Sequence, residues 1–298
     1  MYNEQELRLQ SILLPTAEVC DVEELYFHRN GNEVDFDGYF NFFSLDKWRK
    51  YTLIEDLWLH IELSGFSELR IMNDRRETAT IPLDPEEKKS YDIEFPYGDQ
   101  ELKRVLWFRL IAPEGSEPDM AGITGYFYTR TDRKHLRAVN IVADICTFKR
   151  EAYVLRNLRQ LKQRILDREE LEVSRHFQIY IVDNGRTLDQ HEEISELIGS
   201  LKGRARVFPN KNAGGAGGFT RGMIEAIRAR EREGLTHVLL MDDDAINEPD
   251  AIVRTYALLC TLRDEWKDTA IGGAIFREDI PYILHENGAT LTNWRVDL

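Results

Sequence analysis

From about residue 137 onward, apolar runs typical of buried strands alternate with segments whose apolar residues are spaced by three and four, as in a helix. The runs are "VNIVADICTF", "FQIYIVDNG", "ARVFPN", "THVLLM" and "AIGGAIF", and the helical segments are "REAYVLRNLRQLKQRIL", "RGMIEAIRAR" and "PDAIVRTYALLCTL". Apolar strands joined by helices predict a mostly parallel, doubly wound sheet. This alternation constrains the fold more than any other feature of the chain.

The first 136 residues follow a different pattern, in which short aromatic-rich segments such as "LWLHIELSG" and "RVLWFRLIAP" are broken by Gly, Pro, Asn and Asp. Their alternation and spacing predict an antiparallel β-sandwich. The polar stretch "YTRTDRKHLRAV" separates the two patterns. We therefore expect a β-sandwich domain over residues 1–136 and an α/β domain over residues 137–298.

Charge and cysteine content argue against several classes of function. The net charge of -14 and the lack of a Lys/Arg block argue against nucleic-acid binding. Cys20, Cys146 and Cys260 are widely spaced and odd in number, which disfavours a zinc or disulfide framework and favours a reducing compartment. The acidic N-terminus is unlike a signal peptide. We predict a cytoplasmic protein, and peripheral contact with a membrane stays open.

Three of the predicted strands end in polar signatures, which are "CTFKR", "VDNGRT" and "MDDDA". In open α/β sheets, ligands bind outside the carboxyl ends of the strands. We therefore expect these three signatures to lie together at one rim of the sheet.

The signature "MDDDA" places three carboxylates directly after an apolar strand. Two charges about 4 Å apart repel by about 4 kcal/mol at an effective dielectric of 20, so a positive charge should offset them. Asp242 and Asp244 are two residues apart and can point to one side, where their oxygens would hold a divalent cation, while Asp243 should point the other way. The alternative is a turn capped by Asp244, with the other carboxylates in solvent.

The two remaining signatures offer groups for a nucleotide. Thr147 and Arg150 follow the first strand, where the Arg150 guanidinium can hold a diphosphate in bidentate fashion; alternatively, Arg150 begins an amphipathic helix. Asp183 can accept an N–H from a nucleobase, although a turn aspartate has the same sequence pattern.

The stretch "NKNAGGAGGFTRG", residues 210–222, carries four glycines just before a predicted helix. Glycine lets the backbone approach a ligand closely, and the N–H groups at a helix N-terminus can face an anion. The spacing fits neither the P-loop nor the GxGxxG pattern, so a flexible turn is the alternative.

The order of these four motifs resembles the nucleotide-binding half of GT-A fold, family-2 glycosyltransferases. "NAGGAGGFTRGMIEA" and "MDDDAINEPDAI" are closer still to the polymerising galactofuranosyltransferases of the mycobacterial cell wall. "GYFNFFSLDKWRKYT", residues 38–52, resembles an aromatic segment of their N-terminal β-sandwich. The resemblance therefore covers both expected domains, and it implies a GT-A domain over residues 137–298.

By that resemblance, Asp242 and Asp244 bind Mn²⁺ or Mg²⁺ together with the diphosphate of a UDP-sugar, and Asp183 contacts uracil. The family inverts the anomeric centre, so it needs a carboxylate base and a further metal ligand. No acidic, tryptophan-rich segment of the kind that carries this base precedes Leu298, so we expect the base beyond that residue and the chain to be a fragment. The expected donor-binding residues are Thr147, Arg150, Asp183, Asn212, Gly214, Gly215 and Asp242.

On the acceptor side, His285 and Glu286 are candidates, with a strand-edge or loop role as the alternative. The leading hypothesis is an enzyme that transfers galactofuranose from UDP-galactofuranose to a glycan or a lipid-linked glycan. One rival hypothesis is an enzyme of the same fold that uses another donor, such as dTDP-rhamnose or a UDP-hexose. The other is a non-catalytic carbohydrate-binding or scaffold protein. A homo-oligomer stays open. In the non-catalytic case, five aromatic side chains of the first domain could stack on sugars: Tyr39, Phe40, Trp48, Trp58 and Trp107. Core packing is the better expectation for most of these five.

Overall fold

The computed structural model describes residues 6–74, 76–286, 290–292 and 295–297. Contacts between Cα atoms divide the chain into two compact units. The parallel-sheet unit comprises Leu136–Cys260, and the sandwich unit comprises residues 6–135 together with the described residues from 261 onward. Within the described ranges, no helix is long and apolar enough to cross a bilayer.

The sandwich unit contains two antiparallel sheets, as the sequence predicts. One has the strand order β1-β9-β4-β7 and the other the order β2-β3-β8-β5-β6. The elements in chain order are β1 Leu7–Ser11, β2 His28–Asn30, β3 Glu33–Asp35, α1 Leu45–Tyr51, β4 Leu57–Leu63, β5 Glu68–Asn73, β6 Arg76–Pro82, β7 Lys89–Phe95, β8 Leu106–Ile111 and β9 Thr124–Thr129.

Strict alternation fixes which face of β4 enters the core. Leu57, Leu59, Ile61 and Leu63 are buried, and the residues between them face outward. Opposite them, Phe127 of β9 meets Phe108 of β8 at a ring separation of 6.5 Å, which joins the two sheets across the core. Aromatic contacts of this kind build the interior of the sandwich.

The segment after Cys260 packs within the sandwich unit. The backbone N–H of Leu53 donates to the carbonyl of Thr261 (2.8 Å), the N–H of Arg263 donates to the carbonyl of Tyr51 (2.9 Å), and the Trp266 ring lies 4.9 Å from the Tyr51 ring. The proposed domain limits of 1–136 and 137–298 stay a prediction.

The expectation that "AIGGAIF" forms a further strand of the parallel sheet is wrong. Only β14, Ile275–Phe276, is extended, and it pairs antiparallel with β15, Leu284–Glu286. The two glycines at 272 and 273 weaken the segment as a strand, and the Ile275 side chain is 49% exposed. Further along, β16, Thr290–Thr292, pairs with β17, Arg295–Asp297.

The parallel-sheet unit has the predicted alternation of strands and helices. Its four strands are all parallel, in the order β12-β11-β10-β13, so the central strand β10 lies between β11 and β13. This sheet confirms the predicted α/β class. The elements are β10 Ile141–Thr147, α2 Glu151–Leu161, β11 Phe177–Asp183, α3 Glu192–Ser200, β12 Ala205–Pro209, α4 Gly214–Glu233, β13 His237–Asp242 and α5 Pro249–Thr261.

Candidate functional site

The carboxyl ends of three adjacent strands bring the predicted polar signatures to one rim. The register pairs Thr147 with Asp183 and Cys146 with Asp242, so β10, β11 and β13 end at the same level. The Thr147 hydroxyl is buried and has no hydrogen-bond partner among the described residues. The rim is therefore where a ligand of this sheet should bind.

Arg150 lies at the start of α2 and pairs with the carboxylates of the acidic triplet. Its guanidinium donates to Asp243 (3.2 Å, Nη1 to Oδ1) and to Asp244. These bonds raise the pKa of Arg150, the bond to Asp244 contributing most. Arg150 thus begins a helix, as the alternative interpretation held, and it also faces the acidic triplet.

The rest of α2 fixes the backbone of the triplet. The Asn157 amide donates to the carbonyl of Asp243 (2.8 Å), and Arg156 donates to the carbonyl of Asp244 (3.0 Å). Asp242 and Asp244 are exposed, whereas Asp243 is buried. Because β13 ends at Asp242, the strand alternation does not continue, and Asp243 shares Arg150 with Asp244 instead of pointing away from it.

Asp183 organises the turn that follows β11. Its buried carboxylate accepts four backbone N–H groups at 2.8–2.9 Å, two on each oxygen: Gly185, Arg186, Thr187 and Leu188. This is the turn aspartate that the sequence left open as an alternative. Both carboxylate oxygens of Asp183 already accept these backbone N–H groups. A contact between Asp183 and uracil therefore stays a prediction.

We expect Asp183→Asn to lower the free energy of unfolding by about 2 kcal/mol, because an amide nitrogen would face two backbone N–H donors and leave them unsatisfied. Urea unfolding measures this loss. The control is Asp189→Asn, an exposed aspartate in the same segment, which should change stability by less than about 0.5 kcal/mol. Equal stability of the two variants would contradict the turn role.

The glycine stretch is helical, so the expectation of a glycine loop before the helix is wrong. Helix α4 begins at Gly214, which has a positive φ of 71°, and the Asn212 side chain accepts the Gly214 N–H (3.1 Å). A Cβ on Gly218 would lie 2.0 Å from the sulfur of Cys146. Close packing on β10 therefore overrides the poor helix propensity of glycine.

Asn184 is a residue of this site that the sequence analysis missed. It is buried, and its Nδ2 donates to the carbonyl of Gly214 (3.2 Å) and contacts the sulfur of Cys146 (3.3 Å), while its Oδ1 accepts from Asn210 (2.8 Å). Asn184 thereby ties the end of β11 to the first turn of α4. The only sequence signal was the Asn in "VDNG", which also fits a simple turn.

Asp144, in the middle of β10, is a second missed residue. Its side chain is fully buried, and neither carboxylate oxygen has a hydrogen-bond partner within the described ranges of the chain. A Cβ on Gly222 would lie 1.9 Å from Oδ1, so the carboxyl group fits against the bare backbone of α4. Burial raises the pKa of Asp144 from 3.8 to about 7.

The predicted acceptor-side residues belong to β15 of the sandwich unit. The exposed His285 lines a shallow cavity of about 710 Å³ together with Phe276, Arg277, Glu278 and Asp279. The side chain of Glu286 lies outside the described residues. An acceptor role for His285 and Glu286 stays a prediction.

Asp242 and Asp244 are the candidate cation ligands at this rim. Among the described residues, no three His, Cys, Asp or Glu side chains come close enough to hold a metal ion by themselves. Asp242 and Asp244 are nevertheless exposed oxygen donors at the rim, which suits Mg²⁺ or Mn²⁺. Two protein ligands leave coordination positions for water and for phosphate oxygens.

Two family models match this chain. The model described as glycosyl transferase family 2 matches residues 144–286, and the model described as galactofuranosyltransferase 2 N-terminal matches residues 29–124. The chain therefore carries a family-2 glycosyltransferase domain preceded by an N-terminal domain of the galactofuranosyltransferase 2 type.

Two curated relatives share both regions. Galactofuranosyltransferase GlfT2 of Mycolicibacterium smegmatis is 26% identical over 268 residues, which cover 86% of this chain and 38% of that protein. GlfT2 of Mycobacterium tuberculosis is 24% identical over 265 residues, which cover 86% of this chain and 39% of that protein. The chain thus spans less than half the length of these two relatives.

Proposed function

We propose that the parallel-sheet unit binds the donor of an inverting, metal-dependent glycosyltransferase. In this proposal galactofuranose passes from UDP-galactofuranose to a glycan or a lipid-linked glycan. The observation that carries it is the placement of Thr147, Arg150 and Asp242 at one rim of a domain that matches glycosyltransferase family 2. The sugar is proposed from the two GlfT2 relatives.

The electrostatics of the rim support a diphosphate ligand. The acidic triplet carries three carboxylates and is contacted by two guanidiniums, Arg150 and Arg156, so it keeps a net negative charge and a diphosphate alone would be repelled there. A divalent cation on Asp242 and Asp244 would reverse that local charge and, when bound, would stabilise the negative charge on the departing UDP. Arg150 would then be released from Asp244 and could hold a phosphate oxygen in bidentate fashion.

Each remaining donor-side residue has a role of its own. Asp183 and Asn184 hold the turn after β11 and the first turn of α4 in fixed positions. Asn212, Gly214 and Gly215 lie at the exposed start of α4, where the N–H groups that follow that of Gly214 would face the anionic donor. In the proposed transfer, the acceptor oxygen would bond to the anomeric carbon as the bond from that carbon to the UDP oxygen breaks on the opposite side, and the hydroxyl proton would pass to a carboxylate base.

We expect UDP to bind the chain in the presence of Mn²⁺ and to lose at least about tenfold in affinity, or about 1.4 kcal/mol, when EDTA removes the metal. The variant Asp242→Asn/Asp244→Asn should lose the same factor in Mn²⁺, because it lacks both proposed ligands. Isothermal titration calorimetry measures both effects.

Glu231→Gln, which changes an exposed carboxylate near the other end of α4, is the matched control and should bind UDP like the unaltered chain. Equal UDP affinity in Mn²⁺ and in EDTA would sink the proposed metal site. Tighter binding of dTDP than of UDP would favour the rival donor. The cytoplasmic location and the peripheral membrane contact stay predictions.

A further inference from the structure

The turns that follow β10 and β11 carry two exposed cations, Lys149 and Arg186, which we call the cationic pair. The two turns pack against each other, since a Cβ on Gly185 would lie 3.1 Å from both the backbone nitrogen and the Cγ atom of Lys149. The bare backbone at position 185 thus leaves the space that the stem of Lys149 occupies. The pair lies at the carboxyl ends of parallel strands, the edge of such a sheet where ligands bind.

Arg186 is fixed by three hydrogen bonds. Its backbone N–H donates to Asp183 (2.8 Å), its carbonyl accepts from Gln190 (3.2 Å), and its side-chain Nε donates to the carbonyl of Asn210 (3.0 Å). Within the described ranges of the chain, its two terminal nitrogens make no hydrogen bond. The guanidinium is therefore held through Nε, and both Nη groups are left for a ligand.

The cationic pair differs in this respect from Arg150, whose guanidinium already donates to Asp243 and Asp244. In the part of the chain that the structure describes, neither Lys149 nor Arg186 forms an ion pair. Acidic residues outnumber basic ones in the sequence by 53 to 39, so a basic composition does not explain these unpaired cations.

The carboxylates on the same turns are engaged elsewhere or stay in solvent. Asp183 is buried and accepts four backbone N–H groups, Glu151 accepts from the hydroxyl of Thr187, and Asp189 is exposed. Lys211, which directly follows Asn210, adds a third exposed cation. An anion would therefore reach these cations without displacing a carboxylate of the described chain.

The chemistry of the pair fits a phosphate. A guanidinium with both Nη groups free offers two N–H donors in a fixed fork, which matches two oxygens of an oxyanion. A uracil ring offers no such pair of acceptors, because its N3–H separates the two carbonyls. Two cations suit the double negative charge of a phosphate group better than the single charge of a carboxylate.

The pair lies apart from the proposed metal ligands. Asn210, which holds the Nε of Arg186, directly follows β12, and β12 is three strands away from β13. At about 4.8 Å between neighbouring strands, about 14 Å separate this point from the end of β13. A diphosphate bound through a cation on Asp242 and Asp244 would not reach Arg186, so the anion of the cationic pair is a second one.

We propose that Lys149 and Arg186 form a phosphate-binding subsite that works without a metal. Two oxygens of the phosphate would accept from the Nη groups of Arg186, and the ammonium of Lys149 would approach the same group from the neighbouring turn. The phosphate belongs either to a soluble compound or to the headgroup of a lipid, since both present the same oxygens. The subsite is additional to the proposed donor site and does not depend on the identity of the donor.

Phosphorus NMR of inorganic diphosphate with the whole chain, in EDTA, tests the proposal. We expect binding that weakens as the salt concentration rises. Arg186→Asn should weaken it by about tenfold, the effect of losing hydrogen bonds to a charged group, and Lys149→Asn by about threefold, as for an exposed point charge. Asparagine suits both positions, because their φ angles are positive at 54° and 57°.

The matched control is Lys202→Asn. Lys202 is also exposed and has a positive φ of 51°, but it precedes β12 and so lies at the amino end of the sheet. This substitution removes the same charge from the same backbone conformation and should leave the affinity for diphosphate unchanged. Arg186→Lys keeps the charge and removes the fork, and it should weaken binding by at least about threefold.

Thermal unfolding first establishes that each variant is folded, and Lys149→Asn with Arg186→Lys carries the test if Arg186→Asn is not. The absence of diphosphate binding overturns the proposal, as does an equal loss in Lys202→Asn. Unchanged affinity in Arg186→Lys overturns it in favour of a diffuse effect of charge.

Vesicles distinguish the two sources of the phosphate. Sedimentation of the chain with phosphatidylcholine vesicles that contain phosphatidylglycerol, lost in Arg186→Asn, would support the subsite and assign it to a lipid headgroup. Binding of diphosphate that depends on Arg186, without sedimentation, would support the subsite and assign it to a soluble phosphate compound.

This test separates the subsite from the proposed donor site. UDP binding that depends on Mn²⁺, combined with no diphosphate binding in EDTA, would reject the subsite and leave the donor site standing. Diphosphate binding that depends on Arg186, combined with no effect of Mn²⁺ on UDP binding, would support the subsite and reject the metal-dependent donor site.

Discussion

Gly222→Ala is expected to lower the free energy of unfolding of the chain by at least about 3 kcal/mol, the upper end of the usual cost of overpacking. A Cβ at this position would lie 1.9–2.4 Å from all three atoms of the Asp144 carboxyl group. Neither partner can move freely, because Asp144 is fully buried in the central strand and α4 is packed on it. The melting temperature should fall by roughly 10 °C.

Gly215→Ala is the matched control, because a Cβ on Gly215 would meet no atom within 4 Å and this glycine belongs to the same helix. This substitution should leave stability unchanged or raise it by up to about 1 kcal/mol, through the better helix propensity of alanine. The double variant Asp144→Ala/Gly222→Ala should recover part of the loss. Equal effects of the two glycine substitutions would contradict the packing role of Gly222.

Asp144→Asn is expected to remove a dependence of stability on pH. The pKa of the buried carboxyl is about 7, against 3.8 for an unperturbed aspartate. Between these values the unfolded chain releases a proton that the folded chain retains, so stability falls as the pH rises from about 4 to about 7. The gap of about three pKa units corresponds to about 4 kcal/mol.

Urea unfolding at pH 4, 5.5, 7 and 8 measures this dependence. Near pH 4 the free energies of unfolding of the unaltered chain and of Asp144→Asn should differ only by the constant cost of the buried amide. At pH 8 this difference should have shifted by about 4 kcal/mol in favour of Asp144→Asn. A difference in stability that does not vary with pH would show that Asp144 titrates normally. The control is Asp189→Asn, a substitution on the surface, which should leave the dependence of stability on pH unchanged.

The rim of the parallel sheet was predictable from the sequence because three apolar strands end in polar signatures, and parallel strands end at the same edge. The expectation that all three strands are buried is wrong for β13, since Val238 and Leu240 are 38% and 52% exposed. Thr147, Asp183 and Asp242 follow from that rule alone. Their roles toward a donor stay predictions, since the geometry of the rim does not by itself identify a ligand.

The start of α4 was not predictable, because local propensity and tertiary packing disagree there. Four glycines within five residues favour a loop by propensity, yet the helix begins at Gly214 because Gly218 and Gly222 let it approach β10 closely. Asp144 is a similar case. A single acidic residue in an apolar run gives no sign that its carboxylate is buried and, among the described residues, without a hydrogen-bond partner.

The tryptophans of the sandwich unit illustrate what alternation can predict. Trp48 and Trp107 are buried, whereas Tyr39 is exposed and Phe40 and Trp58 are partly exposed, so the expectation that most of these five aromatic residues pack in the core is wrong. Trp58 lies between the buried residues Leu57 and Leu59, so a period of two places it on the outer surface. Its contact with Arg130 depends on the fold and was not accessible from the sequence.

The fit of α4 on β10 also constrains how these two segments can evolve. Two residues of a strand span about 6.6 Å, and four residues of a helix span about 6.0 Å. The spacing between Asp144 and Cys146 along β10 is therefore close to the spacing between Gly222 and Gly218 along α4. One further step along each element leads to Val142 and Ala226, which share a core cluster and where a methyl group is accommodated. In divergent homologues the residues at these positions should therefore covary, so that a larger residue on the helix accompanies a smaller one on the strand. None of these homologues should tolerate a one-residue insertion within β10.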